Sequence, residues 1–536
     1  MEREQQVELH FPLAGIDQQN AFEKQMPRQL PNGEYAKTCV SGTNVRAFQG
    51  QGDRASGGAR AGVAKYLDAA IVEDWIIQEL SLLVTKGIEN PGSGTVQQSQ
   101  AGRVVTLVAV SQGDVYTARP GDTEWTQATN GTGFSPPLNY TGILYSTQLN
   151  QRLWFADGVN YVYYDPSVDT VFRWLPSVGV LPVDFRGNTP RLICTWRGRL
   201  VVAGLLYDSH NWFMSAVGDP TNWDYAPFEQ SATQAVAGNN SPMGLVGDVI
   251  NTLIPYTDDV LIFGGDHTLY LCSGDPVAGG QIDLVSSSIG TAFGIPWCQD
   301  HYGNIYFVSN RMGIYTFVPG QQPVRISQQI EQLLQAINTG ETTIRLMWND
   351  RFQGLHVFMS PTRAPAETTH FFWEQRTGAW WQDQFTDTDM DPLTCCVFDG
   401  NEPDDRVALI GSWDGYVRSF SSPAEDDDGV PIESEVLIGP LTSKNMDDIL
   451  LKDVQAILGK DSGEVTYKIL VGATAELALD SDPVATGTWK AGRNLLNLVR
   501  RSGHAVYIQL SSTNAWAMEV IRARLVGKGK VRARGR

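Results

Sequence analysis

The sequence lacks the short motifs that mark most enzyme classes. Its 536 residues contain no GxxxxGK[ST] phosphate loop, no GxGxxG between a strand and a helix, and no HExxH, GxSxG or SxxK set. The histidines lie far apart and show no metal-ligand spacing: His10, His210, His267, His301, His356, His370 and His504. We therefore expect a protein that is not an enzyme, with no catalytic residues, no cofactor and no metal site.

Disulfides and membrane insertion are not expected either. The six cysteines include no CxxC pair and are too sparse for a disulfide scaffold: Cys39, Cys194, Cys272, Cys298, Cys395 and Cys396. The first residues, MEREQQVELH, lack the apolar core of a signal peptide. No stretch approaches the ~20 apolar residues that a membrane span needs. These features predict reduced, mostly buried thiols, folding in a cytosol and no membrane span.

Positive charge is scarce except in one segment. The net charge is −19, and a surface this acidic does not attract DNA as a whole. Residues 521–536 (IRARLVGKGKVRARGR) nevertheless hold seven basic residues and no acidic ones. All seven stand at even-numbered positions, so an extended segment would place them on one face: Arg522, Arg524, Lys528, Lys530, Arg532, Arg534 and Arg536. Subunit docking, DNA contact and a solvated tail all remain open for this face.

An acidic run at residues 425–429 (EDDDG) has the composition of a calcium loop. An EF-hand counted from Asp426 would need Glu at its twelfth position, which is Leu437. The surrounding segment contains two prolines and is rich in charge. We therefore interpret residues 423–431 as an acidic linker or exposed loop.

Glycine and aromatic residues are abundant, with 53 Gly and 10% aromatics. From about residue 66 they recur in one form, a turn with Gly beside Asp or Asn followed by an aromatic strand; Gly113, Gly158, Gly265, Gly303 and Gly415 mark such turns. The units form blocks near 104–129, 141–175, 191–230, 250–290, 291–330, 344–387 and 392–422. This spacing predicts a mainly β protein with a β-propeller of about seven blades at 66–422. Six or eight blades, or a β-sandwich instead, remain alternatives.

The remaining segments suggest separate structural units. Residues 1–65 are rich in Gln, Gly, Arg and Ala and predict an extended N-terminal arm that orders against something else. Alternating apolar residues predict a C-terminal β-sandwich at 432–525, followed by a basic tail at 526–536. Within the propeller, the apolar period of residues 326–337 predicts a helix packed on a blade edge, with Ser327 as its N-cap.

Several segments, taken in order, resemble phage tail nozzle proteins, also described as packaged-DNA stabilisation or tail tubular proteins. Residues 44–48 (NVRAF), Arg54 and residues 57–62 (GGARAG) are similar to an NVR…F…R…GG.R.G stretch of that family. The segments 196–204 (WRGRLVVAG) and 215–223 (SAVGDPTNW) resemble a motif pair in its propeller, although Gly198 stands where a bulkier polar residue is expected. Residues 259–263, 303–309, 326–337 and 435–440 continue in the family's order. The resemblance covers most of the chain.

This resemblance implies a virion structural protein of a short-tailed, podovirus-type phage, assembled in the host cytoplasm and located in the virion tail. The chain would be one subunit of a hexameric nozzle ring below the portal and adaptor, retaining packaged DNA and conducting it during ejection. Expected partners are further copies, the tail adaptor protein, tail fibres or spikes, and double-stranded DNA in passage. Arg46, Phe48, Arg54 and Arg60 are candidate contacts of an inter-subunit arm. A polysaccharide-cleaving tail enzyme and a tail adaptor outside the channel are the alternatives.

Overall fold

Short antiparallel sheets follow one another along the chain and form the blades of a propeller. The computed structural model describes residues 4–25, 27–48, 54–86, 103–420, 424–443 and 446–527. Blade 1 contains Ile77–Lys86, Arg103–Ser111, Asp114–Ala118 and Thr126–Gln127. Blade 2 contains Tyr145–Leu149, Arg152–Ala156, Tyr161–Asp165 and Thr170–Arg173, and Thr129–Asn130 pairs with its last strand. Blade 3 contains Leu192–Trp196, Arg199–Ala203, Trp212–Met214 and Val236–Ala237.

The later blades repeat the same four-stranded order. Blade 4 contains Ile250–Thr257, Val260–Gly265, Leu269–Ser273 and Gln281–Ser286. Blade 5 contains Trp297–Gln299, Ile305–Val308, Ile314–Phe317 and Val324–Arg325. Blade 6 contains Thr342–Asn349, Gly354–Pro361, His370–Glu374 and Ala379–Asp383. Blade 7 contains Thr394–Asp399, Arg406–Gly411 and Val417–Phe420, and its fourth strand is Val63–Lys65 from the arm. Within the described ranges the prediction of a seven-bladed propeller is confirmed.

Neighbouring blades bury their facing surfaces around a complete circle. Each shared apolar cluster can be represented by a few of its members: Val108 and Phe155 for blades 1 and 2; Trp154, Val201 and Phe263 for blades 2 to 4; Ile262 and Phe307 for blades 4 and 5; Val308 and Leu346 for blades 5 and 6; Phe358 and Ile410 for blades 6 and 7; Leu409 and Leu107 for blades 7 and 1. A closed circle leaves only short, protected sheet edges, which is why repeated four-stranded sheets are stable in this form.

The second domain is the predicted β-sandwich. One of its sheets contains Gly492–Gly503, Ile449–Leu458, Met518–Gly527 and Glu4–Leu9, so the arm supplies an edge strand. The other contains Ser434–Thr442, Ala505–Ser512, Val465–Gly472 and Ala485–Trp489. Their inner faces share a core that includes Val436, Ile469, Trp489, Ile508 and Ile521. Described strands of this domain extend from 434 to 527, close to the predicted 432–525.

The arm joins the two domains through one short strand. Gly42–Thr43 pairs in parallel with blade 6 at Gln382 and antiparallel with the sandwich at Glu435. Blade 6 and the second sandwich sheet therefore form one nine-stranded sheet. A Cβ at Gly42 would lie 2.9 Å from the ring of Trp381, so only glycine fits this position without displacing the core.

Other short elements decorate the two domains. The remaining strand pairs are Arg28–Gln29 with Tyr35–Ala36, Val45–Arg46 with Gly58–Ala59, and Val178–Gly179 with Asn222–Trp223. The helices are Glu331–Gln335 and Ala475–Leu479, with 3-10 turns at Phe22–Lys24, Gln328–Ile330, Thr388–Met390 and Pro403–Asp405. No helix among the described residues is long and apolar enough to cross a membrane.

The predicted helix at 326–337 is shorter than expected and begins differently. A 3-10 turn precedes the α-helix Glu331–Gln335, and Ile330 and Leu334 are buried against the main core. Ser327 lies at the N-cap position of the 3-10 turn Gln328–Ile330, but its side chain makes no capping hydrogen bond. Its hydroxyl instead accepts a hydrogen bond from the amide of Ile314 at 3.0 Å, so the predicted position is right and the capping contact is not formed.

The acidic segment differs from prediction in one respect. Residues 424–431 do not form an irregular linker, since Asp426–Asp427 and Val430–Pro431 form a hairpin that extends the sheet of blade 7 beside Val63, with Asp427 buried and Asp426 exposed. The described parts of the arm pair with blade 6, blade 7 and the sandwich of their own chain, so the arm is ordered against the rest of the chain. Pairing with a distant strand, which no local pattern encodes, explains the hairpin.

Candidate functional site

Residues 44–48 and 57–62 of the arm form the junction between the propeller and the sandwich. Asn44 lies in the left-handed region (φ 54°), where asparagine is tolerated. Its amide nitrogen donates to the carbonyl oxygens of Gln384 and Glu433, both at 2.9 Å. Its amide oxygen accepts from the amide of Gln384 and from Nε of Arg60, again at 2.9 Å. One side chain thus ties the arm, blade 6 and the start of the sandwich together.

Two buried arginine–aspartate pairs flank Asn44. Arg46 donates to both carboxylate oxygens of Asp383, at 2.7 and 2.6 Å, and its guanidinium lies 4.1 Å from the ring centre of Phe372. Arg60 donates to both oxygens of Asp427, at 2.8 and 2.5 Å. Burial acts to raise the pKa of Asp383, but Arg46 and Arg60 outweigh it and hold that pKa below its usual value. The planar guanidinium groups of Arg46 and Arg60 therefore attach the arm to blade 6 and to the hairpin through directional, charge-assisted hydrogen bonds.

The other two arm residues also contact their own chain. Arg376 of blade 6 lies 3.5 Å from the ring centre of Phe48, a close cation–π contact. Arg54 lies 3.7 Å from Glu519 of the sandwich, with both side chains exposed. Arg46, Phe48, Arg54 and Arg60 thus all have intrachain contacts, and their assignment as an inter-subunit arm stays a prediction.

A buried histidine lies beneath this junction. His356 is 1% exposed, and its ring lies 4.4 Å from that of Phe420 and 4.8 Å from that of Phe372. Neither ring nitrogen has a hydrogen-bond partner among the described residues. Burial lowers the pKa of His356 to about 3, with a smaller opposing effect from Asp383. The imidazole is therefore neutral at physiological pH and acts as part of the aromatic core.

The basic row that the sequence predicted is only partly described. Arg522 and Arg524 lie on one face of the strand Met518–Gly527, while Ile521 and Ala523, which alternate with them, are buried. Arg522 donates to Glu8 at 3.3 Å, and Arg524 pairs with the buried carboxylate of Asp453. Five members of the row lie outside the described residues: Lys528, Lys530, Arg532, Arg534 and Arg536.

The propeller motif pair forms a rigid part of blade 3. Arg199 is buried and donates to the carbonyl oxygens of Ser215, Ala232 and Gln234 at 2.8, 2.8 and 2.5 Å. Burial lowers its pKa to about 10, so the guanidinium remains charged near neutral pH. Gly198 has φ +68°, which glycine adopts without strain, and this explains its presence where a bulkier residue was expected.

The propeller axis holds a polar group that the sequence analysis missed. Glu79 and Arg345, from the first strands of blades 1 and 6, pair at 3.0 Å, and each side chain is 6% exposed. Ser81 and Ser146 each donate to Glu79 at 3.2 Å. Burial raises the pKa of Glu79 despite the opposing effect of Arg345. The available signal was a single charged residue inside an apolar run: Glu79 lies ahead of the first predicted block, and Arg345 lies in the block 344–387.

Side chains reduce the axis to small spaces. A cavity of about 290 Å³ is lined by Glu79, Ser81, Gln148 and Arg345 among others, and a second of about 120 Å³ lies between blades 2 and 5. Burial raises the pKa of Cys395, which lines the larger space, to about 12, so its thiol is poorly reactive. Across the described ranges, no group of three or more His, Cys, Asp or Glu side chains is arranged to hold a metal ion.

Comparisons with known proteins concern the fold alone. No protein-family model and no curated protein matches this sequence. Two solved structures of the BT4673 extracellular domain from B. thetaiotaomicron match with 10–12% identity and TM-scores of 0.38 and 0.42. Each comparison covers 82% of this chain and only 55–56% of that domain. YCF48 from Cyanidioschyzon merolae matches at 11% identity and a TM-score of 0.38, over 66% of this chain and 99% of its own. Likenesses this distant carry no argument about function.

Proposed function

We propose that this chain is a virion structural protein, one subunit of the tail nozzle ring of a short-tailed phage. One observation carries the proposal. Of the motif residues that resemble the nozzle family, Asn44 links blade 6 to the start of the sandwich, and Arg46 and Arg60 fix the surrounding arm to blade 6 and to the hairpin of blade 7. A shared motif with an architectural role supports a shared architecture, because substituting any of its members would loosen the junction.

The filled propeller axis supports a channel between subunits over one through a single chain. The larger axial cavity is about 290 Å³ and is bordered by a buried ion pair, so a DNA duplex cannot pass along it. A conduit built from this protein therefore requires several copies arranged around a separate axis. The hexameric ring implied by the resemblance has this form. Adaptor binding at one end and fibre attachment are parts of the same proposal.

The charge of the chain suits passage of DNA. The 59 acidic residues outnumber the 40 basic ones, so a lumen formed by such a surface would repel phosphates on balance and let DNA slide. Retention before ejection then depends on ring geometry and on the neighbouring tail proteins.

Gold-labelled antibody against the chain, applied to intact and DNA-emptied particles, tests the location. We expect label at a single vertex, at the distal end of a short tail. Label over the whole capsid, or none, would contradict the nozzle role. Native mass spectrometry of the purified chain provides a second readout, with six copies expected in the ring.

A further inference from the structure

The outer face of the second sandwich sheet carries an open row of polar side chains. Thr43, Glu435, Ser511, Thr466 and Thr488 are cross-strand neighbours on five adjacent strands. The residues that alternate with them point into the sandwich core. We call this row, together with Glu433 and Glu464 beside it, the hydroxyl face. It borders a groove of about 540 Å³.

Only half of this sheet surface is covered. At its other end, the helix Ala475–Leu479 and the arm turn Phe22–Lys24 pack over Leu437, Leu470 and Tyr507. The amide of Ala475 donates to Glu23 at 2.6 Å and fixes the two elements together. The groove begins where this cover ends, between Gln384 of the propeller and the loop at Thr513 and Asn514.

The groove is acidic, and two of its carboxylates lack a cation. No ion pair links Glu433 or Glu435 to a basic side chain in the described part of the chain, and Glu433 is exposed. Glu464 lies 3.1 Å from Lys490, but both side chains are largely exposed, so that pair is weak. An occupant of this groove would therefore be cationic and would offer hydrogen-bond donors to a row of hydroxyls.

The geometry points to residues 528–536 of a second copy of this chain as the occupant. This segment, KGKVRARGR, has a cation at every second position and no acidic residue. Extended, it would space successive cations by roughly 6.7 Å on one face. Glu433 and Glu435 are also two positions apart, which gives the same repeat along an extended backbone. The cations of the segment thus match the carboxylates of the groove in both charge and spacing.

The segment of the same chain is poorly placed to fill the groove. The strand Met518–Gly527 starts next to the groove and runs away from it, so Gly527 lies roughly 30 Å from that end. Nine extended residues span at most about 30–32 Å. They would also have to pass from one sheet of the sandwich to the outer side of the other, a further ~10 Å. A segment 528–536 from a neighbouring subunit would not have to span this distance. Repeated head-to-tail contacts between subunits of this kind can close into a ring.

This inference rests on the proposed ring, and a labelled KGKVRARGR peptide tests it in solution without phage particles. The test protein is the chain truncated after Gly527, so that no copy in the sample carries a segment 528–536 that could compete for a groove. We expect saturable binding that weakens as salt rises and that falls roughly 3- to 10-fold in the E433Q/E435Q variant. E124Q/E229Q, which removes two exposed charges elsewhere, is the matched control and should leave binding unchanged. Absent binding, or equal binding to both variants, would overturn the assignment.

A mixing experiment separates contact between subunits from contact within one. The truncated chain has an intact groove, and full-length E433Q/E435Q has an intact segment 528–536. Each alone should self-associate less than the parent chain in sedimentation velocity, and a mixture should recover association between the two. No recovery would overturn the intersubunit contact. Peptide binding together with particles that lack gold label would instead discard the nozzle role and keep the docking site.

Discussion

Replacing His356 by phenylalanine is expected to remove part of the acid sensitivity of the fold. The imidazole packs among Phe358, Phe372 and Phe420, and no described residue hydrogen-bonds to either nitrogen. Burial lowers its folded-state pKa to about 3, against 6.5 in an unfolded chain. Between these values the unfolded state binds a proton that the folded state does not. Stability is therefore lost as the pH falls below about 6.5.

The size of this loss follows from the two pKa values. Between pH 7.5 and 4.5 the unfolded His356 gains a proton, while the folded form gains almost none. The wild type should therefore lose roughly 2–3 kcal/mol more stability than H356F over this interval.

Urea unfolding followed by tryptophan fluorescence at both pH values measures the difference. The matched control is F358L, which alters the same aromatic cluster without a titrating group; it should lower stability equally at both pH values. Titrating groups that do not interact with His356 contribute alike to wild type and variant and cancel. An H356F protein that loses as much stability on acidification as the wild type would refute the reasoning.

Three further predictions concern the junction and blade 3. R60M should cost about 3–5 kcal/mol by stranding buried Asp427, and R60M/D427L should recover most of it; urea unfolding measures both. G42V should cost about 1–3 kcal/mol through overlap with Trp381, seen as a lowered unfolding midpoint, whereas an unchanged midpoint would contradict the packing. R199M should leave three carbonyl groups without their charged donor and speed protease cleavage within 215–235, with unchanged cleavage counting against that role.

The repeating parts of this fold could be predicted from the sequence. Strand alternation and glycine turns are local signals, and Gly113, Gly158, Gly303 and Gly415 do have the positive φ that hairpin corners need. Because each blade is formed mainly by consecutive strands, the block spacing predicted about seven blades, with six or eight as alternatives, and the structure has seven.

The junction could not be predicted in the same way. Arg46 and Asp383 are 337 residues apart, and Arg60 and Asp427 are 367 apart. A charged residue in a polar, glycine-rich segment is normally predicted to be exposed to solvent. It becomes buried only if the fold brings an oppositely charged partner to it from a distant part of the chain. The acidic run was misjudged for this reason, since Asp427 and Asp428 are neutralised by Arg60, Arg418 and Lys65.

The pairing of Glu4–Leu9 with Met518–Gly527 has a consequence for synthesis on the ribosome. The early strand waits for a partner about 510 residues later, which at 5–20 residues per second takes roughly 25–100 s. Val63–Lys65 likewise waits for blade 7. During that delay two unpaired strand edges are available to the wrong partners, including other nascent chains. Slower translation should therefore lower the soluble yield of this protein more than that of one whose early strands pair locally.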